Sequence, residues 1–295
     1  MTLLDVTDLT VSFPASDGLV EAVRGLSFSL GEGQTLGIVG ESGSGKSVAT
    51  QTIAGLTRGA HISGRALFLG RDLLTMSKQE LRVTRGAEIG MIFQDPLSSL
   101  HPYYRVGWQI AEMIRAHRHC SHRDAWERAL ELLGLVGIPQ PRQRARDYPH
   151  QFSGGMRQRA MIAMALALNP KLLVADEPTT ALDVTVQAQI LELMRRLQAE
   201  FRIAIILITH DLGVVADMAD EVLVMYAGKA MERARRRDLY YRPHHPYSTG
   251  LLASLPESGD RTQRLRPIGG QPPSLINPLP AARSTRGAAT SWTAA

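Results

Sequence analysis

The residues from 40 to 47 carry the most specific chemistry in the sequence, because they follow the phosphate-binding pattern G-x-x-x-x-G-K-[ST]. A short apolar run at residues 36–39 precedes the pattern, and a helical stretch at residues 48–56 follows it. The pattern requires this order of strand, loop and helix. Its glycines let backbone N–H groups face a phosphate, and the helix N-terminus adds partial positive charge. The sequence therefore predicts a site for a nucleoside triphosphate.

The loop residues have distinct expected roles. Lys46 is predicted to reach the terminal phosphates, and Ser47 to supply an oxygen ligand to Mg²⁺. A glycine-rich turn with a surface lysine is the simpler alternative, and the flanking strand and helix argue against it. The predicted nucleotide contacts in this loop are Gly40, Glu41, Ser42, Gly43, Ser44, Gly45, Lys46 and Ser47.

Further polar residues directly follow buried apolar runs. In open α/β sheets, ligands bind at the carboxyl ends of the strands, so such residues are expected at one edge of the sheet. The runs span residues 36–39, 89–93, 172–175 and 203–208, and they lead into Gly40, Gln94, Asp176 with Glu177, and Thr209 with His210.

These edge residues suit phosphoryl transfer to water, which needs positioning and charge neutralisation rather than a covalent nucleophile. Asp176 can bind the Mg²⁺ ion or its water shell, and Gln94 is predicted to join Ser47 and Asp176 at the metal. Glu177 can orient or deprotonate water. An acidic pair at a helix start and a structural histidine are the simpler interpretations of residues 176–177 and His210. We predict that the catalytic residues are Glu177, His210, Gln94 and Lys46.

Composition limits the class of protein. The 295 residues leave room for about two domains, and no apolar stretch approaches the ~18 residues that cross a bilayer. The 33 Lys and Arg exceed the 28 Asp and Glu by a net +5, and we expect the arginine clusters at residues 142–146 and 233–237 to be solvated helix faces rather than nucleic-acid contacts. The single cysteine, Cys120, and a start without a secretory signal predict a cytoplasmic protein.

The pattern of elements changes along the chain. Residues 3–13 and 20–30 alternate like antiparallel strands. From residue 36, apolar runs alternate with helical patterns, which indicates a largely parallel sheet with helices on its faces. After residue 237, frequent prolines predict the loss of regular structure. The predicted domains are a core over residues 1–94 and 160–236, a helical subdomain over 95–159, an extension over 237–280 and an irregular tail over 281–295.

A histidine-rich run is a possible metal site that we do not favour. It contains His117, His119, Cys120 and His122. The run lies at the predicted end of an amphipathic helix, where exposed polar residues are expected, and nothing supplies a second set of ligands.

Residues 152–159 open another predicted helix with Ser153, Gly154 and Gly155. Glycines and a serine at a helix start form an anion site, and one ATP does not need two such sites from one chain. We therefore expect a second copy of the chain, or a paralogue, to complete each site.

The sequence closely resembles the ATP-binding cassette family over residues 3–232. The resemblance implies an α/β P-loop NTPase fold, with a RecA-like core, an antiparallel β subdomain and an inserted helical subdomain that ends in the signature region. The family's motifs occur here in the family's order: residues 40–47, Gln94, residues 153–158, residues 172–177, residues 181–183 and His210.

The resemblance also implies where ATP binds. In the family, two cassettes pack head to tail, and each ATP lies between the phosphate loop of one and the signature of the other. Phe13 matches the aromatic residue that stacks on adenine. The other nucleotide contacts that the resemblance implies are Ser153, Gly154, Gly155, Gln158 and Asp183.

Segments 93–102, 243–248 and 270–275 resemble the peptide and nickel importer branch of this family. His101 stands where that branch usually has asparagine. Many relatives continue into a cysteine-containing stretch, whereas residues 281–295 contain no cysteine, which excludes an iron–sulfur centre in this chain. We interpret the tail as a truncated or frame-shifted end.

The function that this resemblance implies is a Mg²⁺-dependent ATPase subunit at the cytoplasmic face of the inner membrane, which drives uptake of di- or oligopeptides. The implied partners are a second ATPase subunit, two permease subunits and, indirectly, a solute-binding protein, with no nucleic acid. Nickel or another small solute is the alternative cargo. The alternative of another class is a non-transport ATPase of DNA repair or translation, which tends to carry a long coiled coil or tandem cassettes, and neither is visible.

Overall fold

A computed structural model describes residues 1–180, 182–254 and 275–276, with side chains except those of Leu97 and Ser98. The predictions that concern Ala181, most of the proline-rich segment 270–275 and the tail 281–295 lie outside the described residues. The described residues group into two compact units. The first contains Met1–Leu3, Leu30–Thr35 and Thr75–Ile208, and the second contains Leu4–Ser29, Leu36–Leu74 and the described residues from Thr209 onward.

The described residues form ten strands and eleven α-helices. The strands are β1 (Thr2–Ala15), β2 (Gly18–Gly31), β3 (Thr35–Val39), β4 (His61–Phe68), β5 (Arg71–Asp72), β6 (Ile89–Ile92), β7 (Leu172–Asp176), β8 (Ala204–Ile208), β9 (Glu221–Tyr226) and β10 (Lys229–Arg235). The helices are α1 (Lys46–Ile53), α2 (Lys78–Ala87), α3 (Pro96–Ser99), α4 (Val106–His117), α5 (His122–Leu135), α6 (Pro141–Arg144), α7 (Gly154–Ala165), α8 (Val184–Phe201), α9 (Leu212–Met218), α10 (Arg236–Tyr241) and α11 (Pro246–Ala253).

The second unit contains an antiparallel sheet in the order β2-β1-β4-β5. Strand β1 buries Leu4 and Val6, and after a bulge near Asp8 it buries Leu9 and Val11 instead. One extra residue inverts the alternation, so the bulge keeps apolar side chains on the same face of the sheet. In the same unit, β9 pairs in parallel with β3 and antiparallel with β10.

The first unit contains three parallel strands in the order β6-β7-β8. Every residue of β7 and β8 is buried, as expected for a parallel sheet that is covered on both faces. The register pairs Ile92 with Ala175 and Asp176 with Ile208, so the carboxyl ends of these strands lie together. This edge carries Gln94, Asp176 and Glu177, three of the polar residues that the sequence analysis singled out.

Helices follow β6, as the amphipathic pattern predicts. Helix α4 buries Val106, Ile110 and Ile114, and α5 packs against both α4 and α7. Ser121 caps α5 and accepts a hydrogen bond from the backbone N–H of Asp124. The assignment of residues 95–159 to a separate inserted subdomain stays a prediction.

Two predictions about the end of the core are wrong. Regular structure does not stop at residue 237, since α10 and α11 follow. Pro246 is the first residue of α11, where a missing backbone N–H costs nothing. The arginine cluster at residues 233–237 is not a helix face throughout, because Arg233 lies in β10, where it donates to Glu221 and to Ser29.

Across the described ranges, no helix is long and apolar enough to span a bilayer.

Candidate functional site

The phosphate-loop residues lie in the second unit, between β3 and α1, as predicted. Gly40 has φ +152° and Gly45 has φ +96°. A Cβ atom at Gly40 would lie 2.1 Å from the carbonyl oxygen of Met225, and one at Gly45 would lie 2.2 Å from that of Ala22. Neither position has room for a side chain, so the neighbouring backbone as well as the φ angles requires glycine.

The β9–β10 turn holds this loop from the side. Ala227 and Gly228 both have positive φ, which suits a tight hairpin turn. The backbone N–H of Gly228 donates to the carbonyl oxygen of Ser44 at 3.0 Å, and its carbonyl oxygen accepts from the N–H of Arg24 at 2.8 Å. The loop conformation is therefore fixed by contacts from outside the loop.

Lys46 is only 6% exposed, and its ammonium group lies over the loop. Its Nζ atom donates to the carbonyl oxygens of Gly40 and Glu41 at 2.7 Å each, and to Ser44 Oγ at 3.3 Å. Helix α1, where Ser47 is the second residue, has neither a side-chain cap nor an acidic residue in its first turn. An ammonium group, backbone N–H groups and an uncapped helix start in one loop fit a phosphate group.

The first unit brings together three other predicted residues. Gln94, Asp176 and Glu177 follow the carboxyl ends of β6 and β7. The Nε2 atom of Gln94 donates to Glu177 Oε2 at 2.9 Å. Asp176 is buried at the end of its strand, and its carboxylate offers the kind of oxygen ligand that Mg²⁺ prefers.

Glu177 has an unusual backbone conformation. Its φ is +49°, a strained value for a residue with a side chain, and its N–H donates to the carbonyl oxygen of Ile208 at 2.9 Å. The hydroxyl of Thr180 donates to Glu177 Oε2 at 2.8 Å. The sequence analysis missed Thr180, although a hydroxyl three residues after the acid, within a turn, was a usable signal.

The signature residues lie at the start of α7, also in the first unit. Ser153 caps α7 by accepting from the N–H of Met156, and Asp183 caps α8 by accepting from the N–H of Val186. A Cβ atom at Gly155 would lie 2.8 Å from Val186 Cγ1. The starts of the two helices are thus in contact, and the missing side chain of Gly155 permits this approach.

Three further residues that were predicted to contact the nucleotide or to take part in catalysis lie apart from the Gln94–Glu177 hydrogen bond. Gln158 is 2% exposed, and its buried Nε2 atom has no hydrogen-bond partner among the described residues, so little of this side chain is accessible to a nucleotide. Phe13 is partly exposed near the end of β1. His210 is exposed after β8 and belongs to the second unit, whereas Glu177 belongs to the first.

The histidine-rich run spans the end of α4, the connection that follows and the start of α5. Within the described ranges, no group of three or more His, Cys, Asp or Glu side chains is arranged to hold a metal ion. Burial and the nearby charge of Arg82 lower the pKa of His117, which ends α4.

Comparison with known proteins identifies the class. The "ABC transporter" family model matches residues 23–180, and the chain belongs to that family. This match, together with the phosphate loop and with Glu177 at the carboxyl end of β7, identifies the chain as an ATPase. It also confirms the predicted P-loop fold. A second model, "Oligopeptide/dipeptide transporter, C-terminal region", matches residues 231–281.

Named relatives and a solved structure resemble this chain closely. It is 56% identical over 282 residues to the oligopeptide transport ATP-binding protein OppD of Bacillus subtilis, covering 94% of this chain and 78% of that protein. It is 53% identical over 281 residues to the dipeptide transport ATP-binding protein DppD of the same organism, covering 94% and 84%. The ATP-binding cassette MJ0796, in a dimeric post-hydrolysis state with ADP and Pi, matches with a TM-score of 0.72 and 26% identity, over 79% of this chain and 99% of that one.

Proposed function

We propose that this chain is the ATP-hydrolysing subunit of an importer that takes up di- or oligopeptides across the cytoplasmic membrane. The observation that carries the cargo class is the match of residues 231–281 to the C-terminal region of oligopeptide and dipeptide transporters. The names of relatives that are more than 50% identical over most of the chain support it. The chain would act at the cytoplasmic face of the membrane as a peripheral subunit.

In this proposal the phosphate loop holds the triphosphate. The backbone N–H groups of residues 40–47 and the start of α1 face the phosphates, and Lys46 neutralises the terminal ones. A Mg²⁺ ion, when bound, offsets phosphate charge, and Ser47, Gln94 and Asp176 would hold it.

Glu177 is the proposed base that orients and deprotonates water. Gln94 and Thr180 both donate to its Oε2 atom, so the carboxylate has a fixed orientation. Such fixing lowers the reorganisation that catalysis requires. His210, after β8, would assist at the terminal phosphate.

A second ATPase subunit would complete each site. Ser153, Gly154 and Gly155 lie at a helix start, and Asp183 lies at the neighbouring helix start. These N-termini favour an anion, which would be the nucleotide bound by the partner. The dimeric MJ0796 cassette supports this arrangement by analogy.

The permease subunits would dock on an exposed aromatic surface made of Tyr103, Tyr104 and Trp108. Tyr103 is 82% exposed and Trp108 is 44% exposed. The Tyr104 and Trp108 rings stack at 4.6 Å, and the Gln109 amide donates to the carbonyl oxygen of Tyr104, so this surface is ordered. Exposed aromatic clusters of this kind mark protein interfaces. The loop from Gln94 to this surface would carry movement from the catalytic edge to the permeases.

Uptake by the assembled transporter tests the proposal. Vesicles with the permeases, the partner ATPase and this chain should accumulate labelled di- or oligopeptides in the presence of ATP and the binding protein. The Lys46→Ala variant should abolish accumulation, because it removes the main charge contact to the phosphates. If the vesicles accumulate Ni²⁺ but no peptide, the proposed peptide cargo is wrong. If Lys46→Ala hydrolyses ATP at the wild-type rate, the proposed role of the phosphate loop is wrong.

A further inference from the structure

Residues 101–104 form a turn on the surface between α3 and α4, within the first unit. The carbonyl oxygen of His101 accepts a hydrogen bond from the backbone N–H of Tyr104 at 3.3 Å, which closes a four-residue β-turn. Pro102 is the second residue of this turn, where its fixed φ is favourable. Tyr103 comes third and is exposed, so the turn presents this ring to the surroundings.

The side chain of Gln109, in the first turn of α4, holds both ends of this β-turn. Its Oε1 atom accepts from the backbone N–H of His101 at 2.8 Å. Its Nε2 atom donates to the carbonyl oxygens of His101 and Tyr104, at 3.0 and 2.8 Å. A side-chain amide has one acceptor oxygen and two N–H donors. The whole hydrogen-bonding group of Gln109 is therefore directed at this one turn.

Helix α4 gives Gln109 a fixed base. The backbone N–H groups of Val106 and Gly107 donate to the carbonyl oxygens of Asp147 and Ala145, at 2.9 Å each. A Cβ atom at Gly107 would lie 2.6 Å from Ala145 Cβ, so the start of α4 packs closely on the segment around residues 145–147. Val106 is fully buried. Gln109 thus ties an exposed turn to a helix whose position is set by the core.

The rings beside the turn form an ordered row. The His101 and Tyr104 rings lie with their centroids 4.7 Å apart, and the Tyr104 and Trp108 rings stack at 4.6 Å. Tyr104 is the middle member of this row, and its carbonyl oxygen is one of the groups that Gln109 holds. Loss of that hydrogen bond would free the backbone that carries the central ring. Rings that are already fixed lose less conformational entropy when a partner binds.

We propose that Gln109 is a positioning residue for docking of the permease subunits, which acts through the turn at residues 101–104. Its amide keeps Tyr103, Tyr104 and Trp108 in the arrangement that the permeases contact, so little order has to be gained on docking. This inference rests on the proposed docking of the permeases on the aromatic surface. It goes beyond that proposal by naming the residue that holds the surface in its binding form.

Gln109→Glu in the full-length chain tests this inference. The substitution keeps the size and the acceptor, but at pH 7 it replaces the two N–H donors by a carboxylate oxygen that faces two carbonyl oxygens. Titration of the labelled chain onto vesicles with the permeases and the partner ATPase measures docking. We expect the dissociation constant to rise about tenfold. ATP affinity of the free chain should stay unchanged, because residues 40–47 are untouched.

Two further variants serve as comparisons. Gln143→Glu places the same charge at an exposed position of α6 and should dock like the wild type. Gln109→Ala removes the hydrogen bonds to the turn without adding a charge and should weaken docking to a similar extent as Gln109→Glu. Wild-type docking by either Gln109 variant would overturn the inference.

A double-mutant cycle with Tyr103→Ala and Tyr104→Ala tests the route. If Gln109 acts by holding these rings, Gln109→Glu should have little further effect on docking once both rings are removed. An undiminished effect there would show that Gln109 acts elsewhere and would overturn the inference. Trp108→Ala and the Tyr103→Ala, Tyr104→Ala chain form the separate arm. Wild-type docking by both would reject the aromatic surface itself as the permease site.

Discussion

The side-chain amide of Gln94 donates a 2.9 Å hydrogen bond to Glu177 Oε2, although 83 residues separate the two along the chain. Their strands, β6 and β7, are parallel neighbours, and both residues follow the carboxyl ends. The hydrogen bond therefore links the proposed catalytic base to the loop that leads to the proposed permease surface.

Removal of the Gln94 amide should slow hydrolysis more than it weakens binding. In Gln94→Ala the Glu177 carboxylate loses the amide donor to Oε2 and keeps the Thr180 hydroxyl, so we expect kcat to fall about tenfold with nearly unchanged ATP affinity. Gln143→Ala, at an exposed position in α6, is the control. Equal turnover of the two variants would show that Gln94 does not support the base.

A negative charge at Gly155 should block closure of two subunits. Since a Cβ atom there would lie 2.8 Å from Val186 Cγ1, Gly155→Asp is best made together with Val186→Ala. We expect ATP binding by the monomer to survive, because residues 40–47 are untouched, and ATP-dependent association to fail through repulsion of the partner's phosphates. The control is Gly155→Ala with Val186→Ala, which adds a side chain at position 155 without a negative charge and so distinguishes the effect of charge from that of size. Loss of monomer affinity in a folded protein would mean that the signature acts on its own nucleotide.

Two glycines of the phosphate loop should differ sharply in tolerance. A Cβ atom at Gly40 would lie 2.1 Å from the carbonyl oxygen of Met225, whereas nothing lies within 4 Å of one at Gly43. We expect Gly40→Ala to lower the free energy of unfolding by more than about 3 kcal/mol. Gly43→Ala, at φ +77°, should cost only about 1 kcal/mol. Urea titrations measure both, and equal costs would contradict the close packing of β9 on the loop.

The attachment of α11 should depend on pH through Glu232. Burial alone would raise the pKa of this carboxyl, but the Ser248 hydroxyl beside it, the N–H groups of His244 and His245 and the charge of His244 together lower it. A lowered folded-state pKa gives stability that is present above the unfolded pKa and lost as pH falls through the folded one.

Glu232→Gln should therefore cost about 1 kcal/mol of unfolding free energy at pH 7. This difference from the wild type should shrink as pH falls below 4.5, the ordinary pKa of the carboxyl, and should vanish below its lowered folded-state pKa. Thermal unfolding across pH 3–8 measures it. A difference that persists at low pH would show that the carboxylate charge is not what holds the N–H groups of α11.

The parallel strands could be predicted from the sequence because complete burial favours unbroken apolar runs, as in β8 and in residues 172–175 of β7. Strand β10 could not, since it alternates charged and small residues at an exposed position and its partner is fixed only by the fold. Helix α11 was missed for a different reason: Pro246 was interpreted as a breaker, although the first turn of a helix accepts proline.

The part of the site made of polar residues that directly follow buried strands could be predicted from the sequence. Gln94, Asp176 and Glu177 each end an apolar run, so their common edge follows from the parallel order. The contact of Tyr247 with Tyr226 was not predictable, because it depends on how α11 packs on β9. The burial of Gln158 was also hidden, since the sequence does not specify which face of α7 points inward.

Replacement of Glu177 by Gln tests the proposed hydrolytic site most directly. The change keeps the shape and removes the charge that activates water, so hydrolysis in the assembled transporter should fall by at least about 100-fold. ATP affinity should be retained, and an ATP-bound pair of subunits should accumulate on size-exclusion chromatography. Glu200→Gln, at an exposed position in α8, should behave as wild type. Wild-type turnover by Glu177→Gln, or loss of ATP binding in a folded protein, would contradict the role of Glu177 as the base.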